Sequence, residues 1–278
     1  MRKTTVKTSH QQDLIAAAWL AALAIASADA WAQQSEEEIA KAAQNPVAAM
    51  ISLPLQYNYD QNIGPLEDGH KSYINVQPVI PFSLNEDWNL ISRTIVPVIW
   101  QSDLFPGAGS QSGIGDTTAS LFFSPKKPTS GGWIWGVGPV FYLPTASDDL
   151  LGADKWGAGP TAVFLKQEHG FTYGALINHI WSVGGDSDRA DISNTFLQPF
   201  FSYTTKTHTT FAVNTESSYN WETEQWSVPI DLLVKQLVKV GEQRLQLTAG
   251  ARYWADSPDN IGPQGWGARF EVSFLFPK

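Results

Sequence analysis

Trp266-Gly267-Ala268-Arg269-Phe270-Glu271-Val272-Ser273-Phe274-Leu275-Phe276 decides the fold. Trp266, Ala268, Phe270, Val272, Phe274 and Phe276 share one parity; Gly267, Arg269, Glu271 and Ser273 share the other. Successive side chains of a strand point to opposite faces, so this stretch has one apolar and one charged face. The preceding segments repeat the pattern. Leu245, Leu247, Ala249, Ala251 and Tyr253 alternate with Arg244, Gln246, Thr248 and Arg252. Trp226, Val228, Ile230, Leu232 and Val234 alternate with Ser227, Asp231 and Lys235; Phe211, Val213 and Tyr219 oppose Asn214 and Glu216. The polar sets carry opposite charges in successive strands at mid-strand positions. That suits a wet interior inside an apolar exterior, as in a transmembrane β-barrel.

Working back from these, twelve candidate strands run from Ile51–Asp60 to Gly265–Pro277. Each reaches at least the roughly 9–11 residues that a tilted strand needs to cross a bilayer. The connections alternate. Long Gly- and Asp-rich loops such as Asp103–Gly115, Ala146–Lys155 and Gly184–Asp191 follow odd strands, and short turns such as Glu168–Gly170 mostly follow even ones. Trp88, Trp100, Trp133, Trp156, Trp181, Trp221, Trp254 and Trp266 all fall at strand ends, where aromatic girdles lie. The expected fold is all-β: an up-and-down antiparallel barrel of about twelve strands. Prolines 54, 78, 97, 139, 160, 199 and 229 lie within strands. A closed barrel has no edge to hold them, so bulges are expected there.

Composition agrees. Charged residues are 16% of 278, below the roughly 25% of soluble domains. The net charge of −9 argues against a nucleic-acid partner, and the absence of cysteine excludes disulfides and thiolate chemistry. Residues 1–32 read as a signal peptide: Arg2, Lys3 and Lys7, an apolar run Leu14–Ala28, then Ala30-Trp31-Ala32. This predicts export and an outer-membrane location. Residues 33–50 read as a short helix and linker, with a capping box from Ser35 to Glu38. Residues 51–278 form the barrel. The helix either plugs the lumen or hangs in the periplasm.

Several segments resemble an outer-membrane transporter family named for the meta-pathway of phenol degradation, some members of which carry the label "neuromedin U". They are Ile51-Ser52-Leu53-Pro54-Leu55-Gln56, Asn75-Val76-Gln77-Pro78, Asp87-Trp88-Asn89-Leu90, Gly113-Ile114-Gly115-Asp116, Leu143-Pro144-Thr145-Ala146, Leu197-Gln198-Pro199-Phe200 and Phe274-Leu275-Phe276-Pro277-Lys278. The resemblance implies an outer-membrane barrel and a transport role, with neither catalytic residues nor a defined substrate.

The sequence carries no H-E-x-x-H, phosphate loop or G-x-S-x-G elbow, so no enzyme or cofactor is expected. Asn178-His179 is the nearest candidate for a lipid-hydrolysing site. Asp148, Asp149, Asp154, Asp186, Asp188 and Asp191 crowd two loops, where they either face solvent or hold a divalent ion, itself bridging to lipopolysaccharide. The parity argument places Asn75, Gln77, Arg93, Gln198, Asn214, Glu216, Asp231, Lys235, Arg244, Arg252, Arg269 and Glu271 inside. Such a set either tunes passage of a small solute or merely stabilises a filled interior. The other expected partners are membrane lipid and, through the last strand, the barrel-assembly machinery.

Overall fold

The computed structural model describes residues 35–277; the signal-peptide reading lies outside them. A short helix precedes twelve antiparallel strands. Helix α1 spans Glu36–Ala42. Its capping box is formed: Ser35 Oγ accepts from Glu38 N, and Glu38 Oε2 accepts from Ser35 N. Strands β1 (Ile51–Ile63), β3 (Trp88–Ser102), β5 (Trp133–Leu143), β6 (Lys155–Glu168), β7 (Phe171–Gly185) and β8 (Ser193–Thr204) are continuous. So are β10 (Gln225–Val240), β11 (Gln243–Asp256) and β12 (Gly265–Phe276). Three strands are interrupted: β2 (Gly69–Val76 and Val79–Ser83), β4 (Ser110–Ile114 and Thr117–Pro125) and β9 (Thr209–Thr215 and Ser217–Asn220).

Each strand pairs with its sequence neighbours, and β12 pairs with β1 from Ile51↔Phe276 to Tyr59↔Ala268, closing the barrel. Closure leaves no unpaired edge. The hairpins reach further than the sequence suggests. Ser110–Ile114, expected in a loop, pairs with the outer end of β3. The turn between β6 and β7 is two residues, His169 and Gly170, both with positive φ as a tight hairpin requires. By the outer-membrane pattern the short-turn end is periplasmic and the long-loop end faces outward.

The prolines are accommodated in two ways. Beside Pro97 and at Pro229 the register shifts by one residue, as in a bulge. Elsewhere the ladder skips residues and resumes in the same register. Pro54 faces the break in β2, and its carbonyl accepts from Gln77 N at 2.9 Å. Pro139 and Pro160 face each other across β5 and β6. Pro199 and Pro229 lie on the strands either side of Glu216, the residue at the break in β9. Skipping in register keeps the inward parity of the flanking residues, which a bulge would have shifted.

The outer surface is apolar. Leu232, Val234, Phe211, Phe270, Phe164 and Phe201 are among its exposed large side chains. Near the long-loop end Tyr219, Trp221 and Trp226 cluster, as do Tyr253 and Trp266. Near the short-turn end Trp133 packs on Phe164 and Tyr173, and Phe171 on Phe201 and Tyr203. These are the two girdles of a membrane barrel. Trp254 departs from the expectation: its indole nitrogen donates to Asp60 Oδ1 at 2.9 Å, so it turns toward the lumen. No described helix is long and apolar enough to cross a membrane.

Candidate functional site

The lumen is built around two arginines that are each 1% exposed, Arg252 on β11 and Arg269 on β12. Arg252 Nε donates to Asp231 Oδ1 at 3.0 Å, and its Nη1 donates to the Tyr73 hydroxyl at 2.7 Å. Asp60 Oδ2 and Glu216 Oε2 each lie 3.5 Å from the same guanidinium. Arg269 forks onto Glu216, with Nη1 to Oε1 at 3.0 Å and Nη2 to Oε2 at 2.6 Å. Its Nε donates to Asn58 Oδ1 at 2.8 Å, and Nη1 makes a 3.2 Å charge contact with Asp231 Oδ2. Two cations thus share three carboxylates. Buried charge is tolerable only when paired and hydrogen-bonded in this way. The interruption of β9 at Glu216 presents its carboxylate to both arginines.

A second layer is built on amide side chains, with Arg93, Lys235 and Glu271 among them. Gln56 Oε1 accepts from Asn75 Nδ2 at 3.3 Å and Gln77 Nε2 at 3.1 Å, and Gln56 Nε2 donates to Glu271 at 3.4 Å. Arg93 Nη2 donates to Gln77 Oε1 at 3.0 Å. Gln198 donates to Glu216 at 3.4 Å. Asn214 and Lys235 line the space alongside, and Lys235 Nζ donates to Gln44 Oε1 at 3.1 Å. Arg244 stands apart: it donates to the Glu242 carbonyl at the β10–β11 turn, away from the other arginines. The parity argument missed Gln56, Asn58, Asp60 and Tyr73. The first three alternate with Leu55, Tyr57 and Tyr59, the same signal as in β12.

The opposite wall is apolar. Ile91, Phe122, Val163, Leu165 and Leu176, from β3, β4, β6 and β7, are almost fully buried and pack around Val47. Ile39, Ala40, Ala48 and Met50 pack on Leu237 and Leu275 at the short-turn end. Gln167 Nε2 donates to the Lys41 carbonyl at 2.8 Å. The segment before β1 is therefore held against the barrel rather than hanging from it.

Two cavities remain between the walls. One of about 180 Å³ lies beside the N-terminal segment, against Gln44, Met50, Lys235 and Glu271. The other, about 260 Å³, is lined by Asn75, Tyr142, Asn178, Asn194 and Phe196. Gln56, Gln77, Arg93 and Glu216 border both.

The loop aspartates are not gathered into a cluster. No group of three or more acidic or histidine side chains placed to hold a metal occurs among the described residues. Asp148 and Asp186 cap turns by accepting from the amides of Leu150 and Asp188. Arg189 ties the two loops by donating to the carbonyls of Asp149 and Gly152. Asp191 pairs with Lys155 at 3.0 Å and accepts from Ser182 at 3.1 Å. Those hydrogen bonds, Lys155's first, hold its carboxyl below the usual carboxylate range.

A closed twelve-stranded barrel with an apolar belt, two aromatic girdles and a charged lumen is the fold of outer-membrane channels and porins. The chain belongs to the family described as "Putative MetA-pathway of phenol degradation", whose profile matches residues 65–278. It is similar to an outer membrane channel of Pseudomonas putida F1, with TM-score 0.65 and 14% identity over 82% of this chain and 96% of that one. It is also similar to the NanC porin, with TM-score 0.50 and 9% identity over 82% of this chain and 100% of the porin. No curated protein sequence matches it.

Proposed function

We propose that this protein is an outer-membrane channel that passes small solutes passively through a narrow lumen. The carrying observation is the pair of cavities inside the barrel, with Gln56, Gln77, Arg93 and Glu216 bordering both. A barrel filled only for stability would pack that space, as eight-stranded barrels do, whereas sixteen strands leave an open aqueous channel. Twelve strands with residual polar cavities suit a pore that is narrow and closed at rest. The segment 35–50 acts as the plug at the periplasmic end, seated by Val47 among the apolar wall residues. The outward belt faces membrane lipid and lipopolysaccharide, and the C-terminal strand is the element offered to the barrel-assembly machinery. The family's association with phenol degradation and the apolar wall together favour aromatic or apolar solutes.

A barrel enzyme acting on lipids is the weaker reading. Asn178 lines the lumen, while its neighbour His179 takes the opposite parity, stacks on the exposed Trp181 and pairs through Nδ1 with the Thr195 hydroxyl at 2.7 Å. The two side chains therefore do not share a site. Reconstitution decides among the readings. Swelling of liposomes in a panel of aromatic and sugar solutes supports the channel. Ester hydrolysis lost on replacing His179 supports the enzyme. Neither leaves a structural barrel.

A further inference from the structure

We propose that the larger cavity is a binding site for a monocyclic aromatic carboxylate, with the carboxylate on Arg93 and the ring against Phe196 and Ile95. Arg93 differs from the other two central arginines. Arg252 and Arg269 each lie within 3.5 Å of at least two carboxylates. Arg93 has no ion-pair partner among the described residues, and its single hydrogen-bond acceptor is the neutral Gln77 Oε1. A guanidinium presents five donors in a planar fork that fits a carboxylate; here one is used. The carboxylate bordering the cavity, Glu216, is already held by the fork of Arg269 and by Arg252. Glu271 borders only the smaller cavity and is engaged by Gln56 and Ser273. Glu216 and Glu271 act on Arg93 through charge at a distance without an ion-pair contact, and its remaining donors are open to an anion from outside.

The rest of the lining sets the body of the ligand. Ile95, Tyr142, Ile180 and Phe196 supply apolar and aromatic surface around the cavity. Asn75, Asn178 and Asn194 are interleaved with them, Asn178 opposite Phe196 and Asn194 opposite Ile180 across β7 and β8, and the Asn194 Oδ1 is buried without a partner. The volume of about 260 Å³ exceeds the roughly 150 Å³ that holds a benzene ring and falls below the roughly 300–1,000 Å³ of drug-sized pockets. One ring with one short acidic group fits those limits.

The proposal rests on the channel reading for access from the lumen, and names the solute class that it would serve. The test uses benzoate on the full detergent-folded protein by calorimetry, alongside flux in liposomes. Benzoate should bind about tenfold or more tightly than benzyl alcohol, which lacks the charge, and than acetate, which lacks the ring. Arg93→Gln should weaken benzoate about tenfold or more, Phe196→Ala should erase the preference for benzoate over acetate, and Arg244→Gln should bind benzoate as the parent does. Heat-modifiability on gels checks that each variant is folded; if Arg93→Gln is not, the parent's preference and Phe196→Ala decide. Equal binding of benzoate and benzyl alcohol, or a folded Arg93→Gln that keeps full affinity, overturns the site. Flux of neutral solutes without benzoate binding overturns the site and leaves the channel. Benzoate binding without flux of any solute supports the site and overturns the channel.

Discussion

The two walls of the lumen are held by different physics. The wall made by β9–β12, β1 and β2 is charged: Asp60, Glu216, Asp231, Arg252 and Arg269 sit in one lattice. The wall made by β3, β4, β6 and β7 is apolar near the short-turn end: Ile91, Phe122, Val163, Leu165 and Leu176 close on Val47. The charged wall is directional, and losing one partner strands the others. The apolar wall is non-directional and yields in proportion to the volume removed. One barrel thus has a wall that specifies geometry and a wall that receives the N-terminal segment.

The largest expected effect falls on the charged wall. Glu216→Ala leaves Arg269 without its fork, and breaking a buried pair from one side costs about 3–5 kcal/mol. The urea unfolding midpoint of the detergent-folded protein should fall accordingly. An unchanged midpoint would mean that water, not Glu216, compensates the arginines. Leu165→Ala tests the apolar wall and should cost about 2–3 kcal/mol, because the segment around Val47 can settle into part of the space. This loss should be insensitive to salt. Arg244→Ala, at the β10–β11 turn, should cost under about 1 kcal/mol. A loss as large as that of Glu216→Ala would show that Arg244 belongs to the central lattice after all.

The contrast between the walls also explains what could be read from the sequence. In β9–β12 the inner face is polar and the outer apolar, so parity alone separates Arg269 from Phe270. In β6, Val163 and Leu165 face in while Phe164 faces out. Both faces are apolar, and no alternation marks which is which. The N-terminal helix was legible from Ser35 and Glu38, but its seat was not, because Val47 meets partners on four distant strands. The prolines pointed to irregular pairing. What they did not reveal is that most skips keep register, or that two of them flank Glu216. Arg93 was legible as inward; its lack of a carboxylate partner depends on Glu216 being claimed by strands β11 and β12. Trp254 sat at a strand end like the girdle tryptophans, but it shares the inward parity of Arg252 and bonds to Asp60.

The smallest effect belongs to the outer loops. Asp191 has its carboxyl held below the ordinary value by Lys155 and Ser182. A carboxylate with a depressed folded-state pKa contributes stability above its unfolded pKa of about 3.9, and loses it as pH falls through the lower folded value. Protease cleavage in the 186–192 loop should therefore be flat from about pH 5 to 8 and rise only below about pH 4. A rise near pH 6 would point to a histidine instead.

The central claim is that the two walls enclose a solute path stopped by the segment before β1. Single-channel conductance in planar bilayers, measured on the chain with and without residues 35–49, tests it most directly. The account predicts a folded, heat-modifiable barrel in both cases, with low or intermittent current from the first and a higher, sustained current from the second. A folded barrel that conducts nothing after the deletion would contradict it.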